Sequence, residues 1–517
     1  MEPGEAQKPR RRGRADGAAR ARGEIAERSA GYRRLRHPFA PQAVFSDDEV
    51  AAIHATALRV LEELGMKILL PEARAILLAT GALPGDEPDM VRIGRDMVEA
   101  ALAAAPRSIR LRAADPAREQ AYELGSLIFM AGAGCPHATD RERGRRPGSL
   151  VDFEETLKLQ QAFDVMHMLS PAVEPQDVPA ALRHYAIMRG QLTLADKPMF
   201  IYARGRRQVE EGFEMIRLGL DLDEASFGDG VWAATVINTN SPRQLDVPMA
   251  RGIIDFARAG QMSIITPFCL AGAMAPITIA GALALQHAEA LACLTLAQMT
   301  RPGAPVSNGG FSSNVNMRSG SPAFGTPEHL KTTLGAGQLA RHIGLPWRSA
   351  TGASANVADA QGATETIMGL WGCLLAGATL TIHAAGWLEG GLSFGYEKFI
   401  TDLEAVQTIA ELCRRTPADA EDIGFDAIAE VAPGGHFFAA AHTMARYRDA
   451  FYEPVVADLS NFGSWSEAGG LTAAERATAV WKDALARYVP PAHGDVAADR
   501  LRDFIAKRTA AGGAPPE

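Results

Sequence analysis

The stretch VWAATVINTNSPRQLDVPMARGIIDFARAGQMSIITPF, residues 231–268, contains a short β-branched run, a polar loop, a helical pattern and a second short run. Val231–Ile237 and Met262–Phe268 are too short for core helices, whereas Val247–Ala259 spaces its apolar residues by three and four. A strand, a helix and a second strand of the same kind form the unit from which parallel sheets are built.

Outward from this stretch the rhythm repeats. Leu127–Ala131, Val165–Leu169 and Pro198–Ala203 precede it, and Pro305–Gly310, Pro346–Ala350 and Ala378–His383 follow. Helical patterns at Asp152–Phe163, Ile279–Met299 and Gln361–Ala376 lie between them. Eight runs starting 31 to 43 residues apart predict an α/β fold, a (β/α)₈ TIM barrel over residues 121–415, in preference to an open doubly wound sheet. No GxGxxG turn follows the first run, as a dinucleotide fold would need.

Residues 38–120 read as an N-terminal helical layer, in which Asp47 and Asp48 stand where they can cap the run from Ile53 to Leu64, closed by Gly65. Residues 416–517 form a C-terminal extension. Its aromatic, His-rich part from Pro433 through Glu467 is expected to fold over the barrel or to make a subunit contact in a homo-oligomer.

With 517 residues, 47% of them hydrophobic, the chain can bury a large core. No run of about 18 uninterrupted apolar residues occurs, and residues 1–37 carry Arg and Gly where a secretory leader needs an apolar stretch. Membrane spans and export are therefore not expected. The cysteines at 135, 269, 293, 373 and 413 are too scattered for a zinc knuckle or a disulfide framework, and a cytoplasmic location fits them. The net charge of −9 divides into +6 for residues 1–37, a basic tail expected to be disordered, and −15 for the rest. An acidic body disfavours nucleic acid as partner and suits cationic ligands.

If the barrel holds, strand ends point at the active site. They present Phe268 after run five, Asn308 and Phe311 after run six, Thr351 and Gly352 after run seven, and His383 through Glu397 after run eight. The last group combines an imidazole with Trp387, Glu389 and Tyr396 around glycines 386, 390 and 391. Aromatic faces and one carboxylate are what a quaternary ammonium needs. His383 can ligate a metal, donate to a carboxylate or shuttle a proton. No metal site is expected, because HExxH is absent and His436 and His442 lie outside the barrel repeat. There is also no GxSxG elbow and no P-loop.

Four strings carry a resemblance: GGFSSNVNMRSGSPAFGTPE (309–328), ADAQGATE (358–365), HAAGWLEGGLSFGYEK (383–398) and PGGHFFAAAHT (433–443). From about Phe45 to Glu467 the chain resembles the trimethylamine methyltransferase family, corrinoid-protein methyltransferases that include glycine betaine methyltransferases. The resemblance implies a (β/α)₈ barrel and a partner corrinoid-binding protein, with no cofactor bound by this chain itself. Members acting on trimethylamine carry pyrrolysine in the loop after the seventh strand, corresponding to residues 349–356, where this chain has Ser-Ala-Thr-Gly-Ala-Ser-Ala-Asn.

The departure implies a donor that needs no activation, a quaternary amine of the glycine betaine, proline betaine or carnitine type. By analogy with the family motif, His383 and Glu389 are the catalytic candidates, with His383 facing cobalt or a substrate carboxylate. Trp387, Tyr396, Phe311, Phe268 and Glu389 are candidates for the cation cage, and Asn308 for the carboxylate. Two alternatives stay open: another methyl acceptor such as tetrahydrofolate, and a non-catalytic quaternary-amine-binding protein.

Overall fold

The computed structural model describes residues 33–517. A curled sheet of eight strands organises the chain: β1 (Leu35–Arg36), β2 (Ser126–Phe129), β3 (Met199–Phe200), β4 (Ala233–Ile237), β5 (Met262–Ile265), β6 (Val306–Gly309), β7 (Trp347–Ala350) and β8 (Leu380–Ile382). Their order is β1-β2-β8-β7-β6-β5-β4-β3. β2 to β8 pair in parallel, for example Ala234 with Met262 and Leu380 with Ile128, while β1 lies antiparallel against β2.

Two expectations need correction here. The second run, 165–169, is no ladder strand; it makes one isolated bridge, Met130 to Met168. The amide of Phe129, which could have extended a ladder there, donates instead to Nδ1 of buried His167 (3.1 Å), and Pro198 on the other side has no N–H to offer. Backbone bonds still touch both neighbours, His167 N to Phe129 O (2.9 Å) and Leu169 N to Pro198 O (2.9 Å). The eighth place belongs to Leu35–Arg36, inside the segment expected to be a basic tail. Residues 1–32 of that tail lie outside the described residues, but Arg33 pairs with Glu411 at 2.6 Å.

Side chains alternate across the sheet as the pleat requires. Ile128, Met130, Ala234, Met262, Ile264, Leu380 and Ile382 share the concave core. Ala233, Ile237, Ile265 and Val306 belong to the outer core, which the helices cover. Those helices include α1 (Asp47–Arg59), α2 (Leu150–Ala162), α3 (Ala180–Leu194), α4 (Arg206–Leu220), α5 (Val247–Ala259), α6 (Ile279–Thr300), α7 (Pro327–His342), α8 (Ala360–Ala376) and α9 (Tyr396–Leu412). Among the described residues α6 is the one helix long and apolar enough to cross a membrane, and it is mostly buried within the fold.

The N-terminal layer is mixed, not purely helical. Ser46, not Asp47 or Asp48, caps α1 in a capping box with Glu49. The hairpin of Ser108–Leu111 with Gln120–Glu123 sends Ile109, Leu111 and Tyr122 into the concave core, and Leu111 bridges Val231 just before β4. This hairpin therefore closes the N-terminal end of the strands, leaving their C-terminal ends for chemistry. At the far end of the chain, α10 (Ala473–Ala486) packs on α9 and α2, and α11 (Gly494–Ala510) on α3 and α4. Between α9 and α10, short helices leave Phe425, Phe438, Phe451 and Phe462 exposed.

Burial keeps two helix- and sheet-packing imidazoles neutral. Desolvation pushes His167 and His287 down to about 3 from the usual 6.5, with neighbouring Lys197 and His54 adding to it. Between these values the unfolded chain binds protons that the native one refuses, so stability rises with pH through this window. Lowering the pH from 6.5 to 5.5, where carboxylates stay ionised, is expected to cost ~1 kcal/mol for each such histidine. Denaturant midpoints across that range check this; a flat profile contradicts it.

Candidate functional site

β8 ends at Ile382, and His383 turns the chain with φ of +60°, a conformation costly for a residue with a Cβ. Its surroundings hold it there: the Thr351 hydroxyl donates to His383 O, Thr351 N donates to Ile382 O (3.0 Å), and Ala384 N donates to Met130 O (3.0 Å). The imidazole is buried, and its Nδ1 accepts from Ala133 N at 3.3 Å. That bond assigns the proton to Nε2. Desolvation, reinforced by the cationic Arg348, holds the ring's pKa well below the usual value. His383 is thus neutral, with Nδ1 occupied and Nε2–H left as a donor.

Trp387 stacks on this imidazole, ring centres 4.3 Å apart and 12° from parallel. Phe311 lies 5.5 Å from His383 and 5.6 Å from Trp387, and stacks on Phe324 at 5.1 Å. Phe268 completes the group, 5.2 Å from Phe311. Strand ends five, six and eight and the loop before α7 therefore bring four aromatic side chains into one cluster, of which Phe311 and Trp387 touch the imidazole. Gly352, at the end of β7, fits because a Cβ there would lie 2.8 Å from the Phe324 ring and 3.0 Å from that of Trp387. Gly391, with φ of +106°, similarly faces the other edge of Trp387, where a Cβ would come within 2.4 Å.

The turn from 383 to 395 is tied to α9 by a buried pair. Asp402 accepts from Gly386 N at 2.9 Å and pairs with Lys398, whose Nζ also donates to Thr366 (2.7 Å). Burial pushes the Asp402 carboxyl up from its ordinary value, with the lysine and the amide opposing. One residue before Lys398, Glu397 accepts from Thr478 (2.7 Å) and Trp481 (3.0 Å) of α10, so the C-terminal extension braces the same segment. On the opposite flank, buried Glu289 of α6 accepts from Ser241 Oγ and Arg243 N, both 2.7 Å, and fixes the loop after β4.

His383, Trp387, Phe311 and Phe268 come together as the sequence suggests, and Thr351 and Gly352 support them. Glu389 and Tyr396 do not join them. Arg145 clamps Glu389 through Nε (2.9 Å) and Nη2 (3.0 Å), and these bonds outweigh burial to hold its carboxyl below the usual range. Tyr396 is buried against α2, donating to Glu155 (2.6 Å) and Asp152 (3.1 Å) beneath the Arg143 guanidinium. Asn308 pairs in register with Trp347, which packs among the helices, so it sits on the outer face of the sheet.

Three contributors were missed. Phe324 comes from a loop whose string gives no periodic signal. Buried His329 on α7 borders Phe311 and Phe324, its Nδ1 accepting from Gly325 N (3.2 Å). Arg348 sits in β7 opposite Leu380 of the concave core, 2% exposed, its guanidinium carbon 5.3 Å from the centre of the Phe311 ring. Burial lowers its pKa to about 10, so it stays a cation at neutral pH. A charge in the strand run Pro346–Ala350 was the available signal.

Asp402→Ala strips the amide of Gly386 of its acceptor and leaves Lys398 buried without its counterion. A loss of ~3–5 kcal/mol in unfolding free energy is expected, with quenching contacts around Trp387 changed. Urea titration followed by tryptophan fluorescence tests this; a loss under about 1 kcal/mol would show that the pair does not hold the turn.

The chain is 33% identical over 470 residues to a glycine betaine methyltransferase of Desulfitobacterium hafniense, covering 90% of this chain and 97% of that one. It is 28% identical to a trimethylamine methyltransferase of the same species and 27% to one of Methanosarcina mazei, each over 90% of this chain and 93% and 94% of theirs. Its fold matches the crystal structure of the Methanosarcina barkeri monomethylamine methyltransferase with a TM-score of 0.50 at 9% identity, over 90% of this chain and 91% of that chain. A model of the trimethylamine methyltransferase family matches residues 10–513, and the chain belongs to that family of methyltransferases.

Proposed function

We propose that the chain removes a methyl group from a quaternary amine and delivers it to the Co(I) of a separate corrinoid-binding protein. The observation that carries this reading is the cluster of four aromatic side chains, two of them against a neutral imidazole, at the strand ends. A quaternary ammonium has no N–H to donate, so ring faces are its natural contacts, worth about 0.5–2 kcal/mol each. The body of the chain, at −15 outside residues 1–37, adds a favourable background for a cation.

The transfer is an in-line displacement. The electron pair of Co(I) forms the new bond to the methyl carbon, and the C–N pair stays on nitrogen, which departs as a neutral tertiary amine. No proton moves, and a site whose imidazole is a fixed donor suits that chemistry. The chain's own tasks are to exclude water, seat the cation and point one N-methyl group at the acceptor. His383 serves through its Nε2 proton, as a hydrogen-bond donor to substrate. Glu389 and Tyr396, engaged with Arg145 and α2, frame the site from behind.

The same reading treats the curled sheet as a (β/α)₈ barrel, with residues 165–169 seated between Phe129 and Pro198 as its second stave. It gives the exposed aromatic side chains between α9 and α10 to a subunit contact, and it places the enzyme in the cytoplasm with its five thiols free.

The test is a screen of glycine betaine, proline betaine, carnitine, choline and tetramethylammonium with a corrinoid carrier reduced to Co(I), read as loss of Co(I) absorbance. Transfer from at least one is expected, and His383→Ala should lower the rate about 100-fold. A wild-type rate in that variant removes the imidazole from the mechanism, and no transfer from any amine defeats the whole reading.

A further inference from the structure

The concave face of the sheet is lined mainly by apolar side chains, with the bonded hydroxyls of Tyr122 and Ser307 and one guanidinium among them. Arg348 lies there in register with Leu380 on β8 and Gly309 on β6, and the ionisable groups near enough to act on it or be acted on by it are Tyr122, Cys373 across the sheet, and His383. None of these is an anion at neutral pH, and burial raises both Tyr122 and Cys373 further. Tyr122 is already engaged with the hydroxyl of Ser307. Nε and Nη1 of Arg348 are buried without a hydrogen-bond partner among the described residues. Buried guanidinium groups are ordinarily paired, because desolvating a cation alone is costly. The face of Phe311 offsets part of that cost but satisfies no N–H.

We propose that Arg348 binds the carboxylate of a zwitterionic substrate, so that the site takes betaines in preference to plain quaternary cations. This rests on the reading of the chain as a quaternary-amine methyltransferase and names the specificity residue within it. Three observations converge on it. The guanidinium offers planar, fixed donors that match a carboxylate. It lies one ring away from the aromatic group, since Phe311 touches both it and Trp387. A second buried donor without a partner, Nε1 of Trp387, borders the same rings.

Glycine betaine and proline betaine carry the carboxylate one carbon from the ammonium, so both ends can be met at once. With the carboxylate on Arg348, below the rings, the methyl groups face the open strand ends. A cation without a carboxylate would instead bring a second positive charge toward an uncompensated guanidinium in a dry site, and be repelled. Arg348 thereby selects both for the acid and against its absence. Asn308, on the outer face, is not needed for this role.

Calorimetry with glycine betaine and with choline, on the whole chain and without any acceptor, tests the inference. Wild type is expected to bind glycine betaine at least 10-fold tighter than choline. Arg348→Gln should weaken glycine betaine by about 30-fold or more and leave choline equal or tighter. Because a lone buried charge is removed, ligand-free Arg348→Met should melt no lower than wild type. Unchanged betaine affinity in Arg348→Gln, or a ligand-free Arg348→Met that melts well below wild type, overturns the assignment. Transfer of methyl groups from choline or tetramethylammonium but not from betaines defeats it while leaving quaternary-amine chemistry intact. Betaine binding that depends on Arg348, without methylation of Co(I), does the reverse.

Discussion

One buried carboxylate sets the position of the turn after β8. Asp402 is enclosed on α9, yet its two oxygens are divided between Lys398, a turn earlier on the same helix, and the amide of Gly386. The first contact neutralises a charge that would be intolerable alone; the second joins the helix to the loop. Because Gly386 lies between His383 and Trp387, their mutual stacking depends on where that amide is held. Glu397 extends the restraint to α10, which makes the C-terminal extension part of the support for the site. A loop with several positive-φ residues, His383, Gly386, Glu389, Gly390 and Gly391, would otherwise be free to rearrange.

Burial acts on this region in a second way. It keeps His383 neutral and leaves Arg348 charged, because an imidazole can shed its proton within the physiological range and a guanidinium cannot. The two residues also reinforce one another, since the cation discourages protonation of the ring. The result is a site with donors and ring faces but no general base. Reactions that need a proton removed are poorly served by it, whereas displacement at an N-methyl group leaves nothing to deprotonate.

Much of this was legible in the sequence, for reasons that particular residues make plain. Run-loop-helix repetition located the seven parallel strands of the curled sheet, since β2 to β8 are short and followed by helices with their own period. It failed at 165–169, where composition is strand-like but His167 takes the amide that a ladder would use. It could not foresee β1, two residues within a basic stretch, because pairing with Leu127 is a tertiary event. The N-terminal layer was misjudged as helical because strands of three or four residues, such as Met66–Ile68 and Ser108–Leu111, are shorter than any periodic signal.

For the site, proximity along the chain was a good guide only before the backbone reversed. His383 and Trp387 were rightly associated, being on one turn. Glu389 and Tyr396 are only two and nine residues beyond Trp387, but positive φ at 389, 390 and 391 carries the chain away, toward Arg145 and then α2. Pleat parity was the rule that could have sorted the rest. On β6 and β7 it sends Asn308 outward with Trp347 and Arg348 inward with Leu380, and so exchanges an amide for a guanidinium as the polar group beneath the rings. That exchange changes the chemistry offered to a ligand. An amide would accept neutral and charged partners alike, whereas an unpaired cation enclosed by apolar side chains favours only a partner that brings its own negative charge.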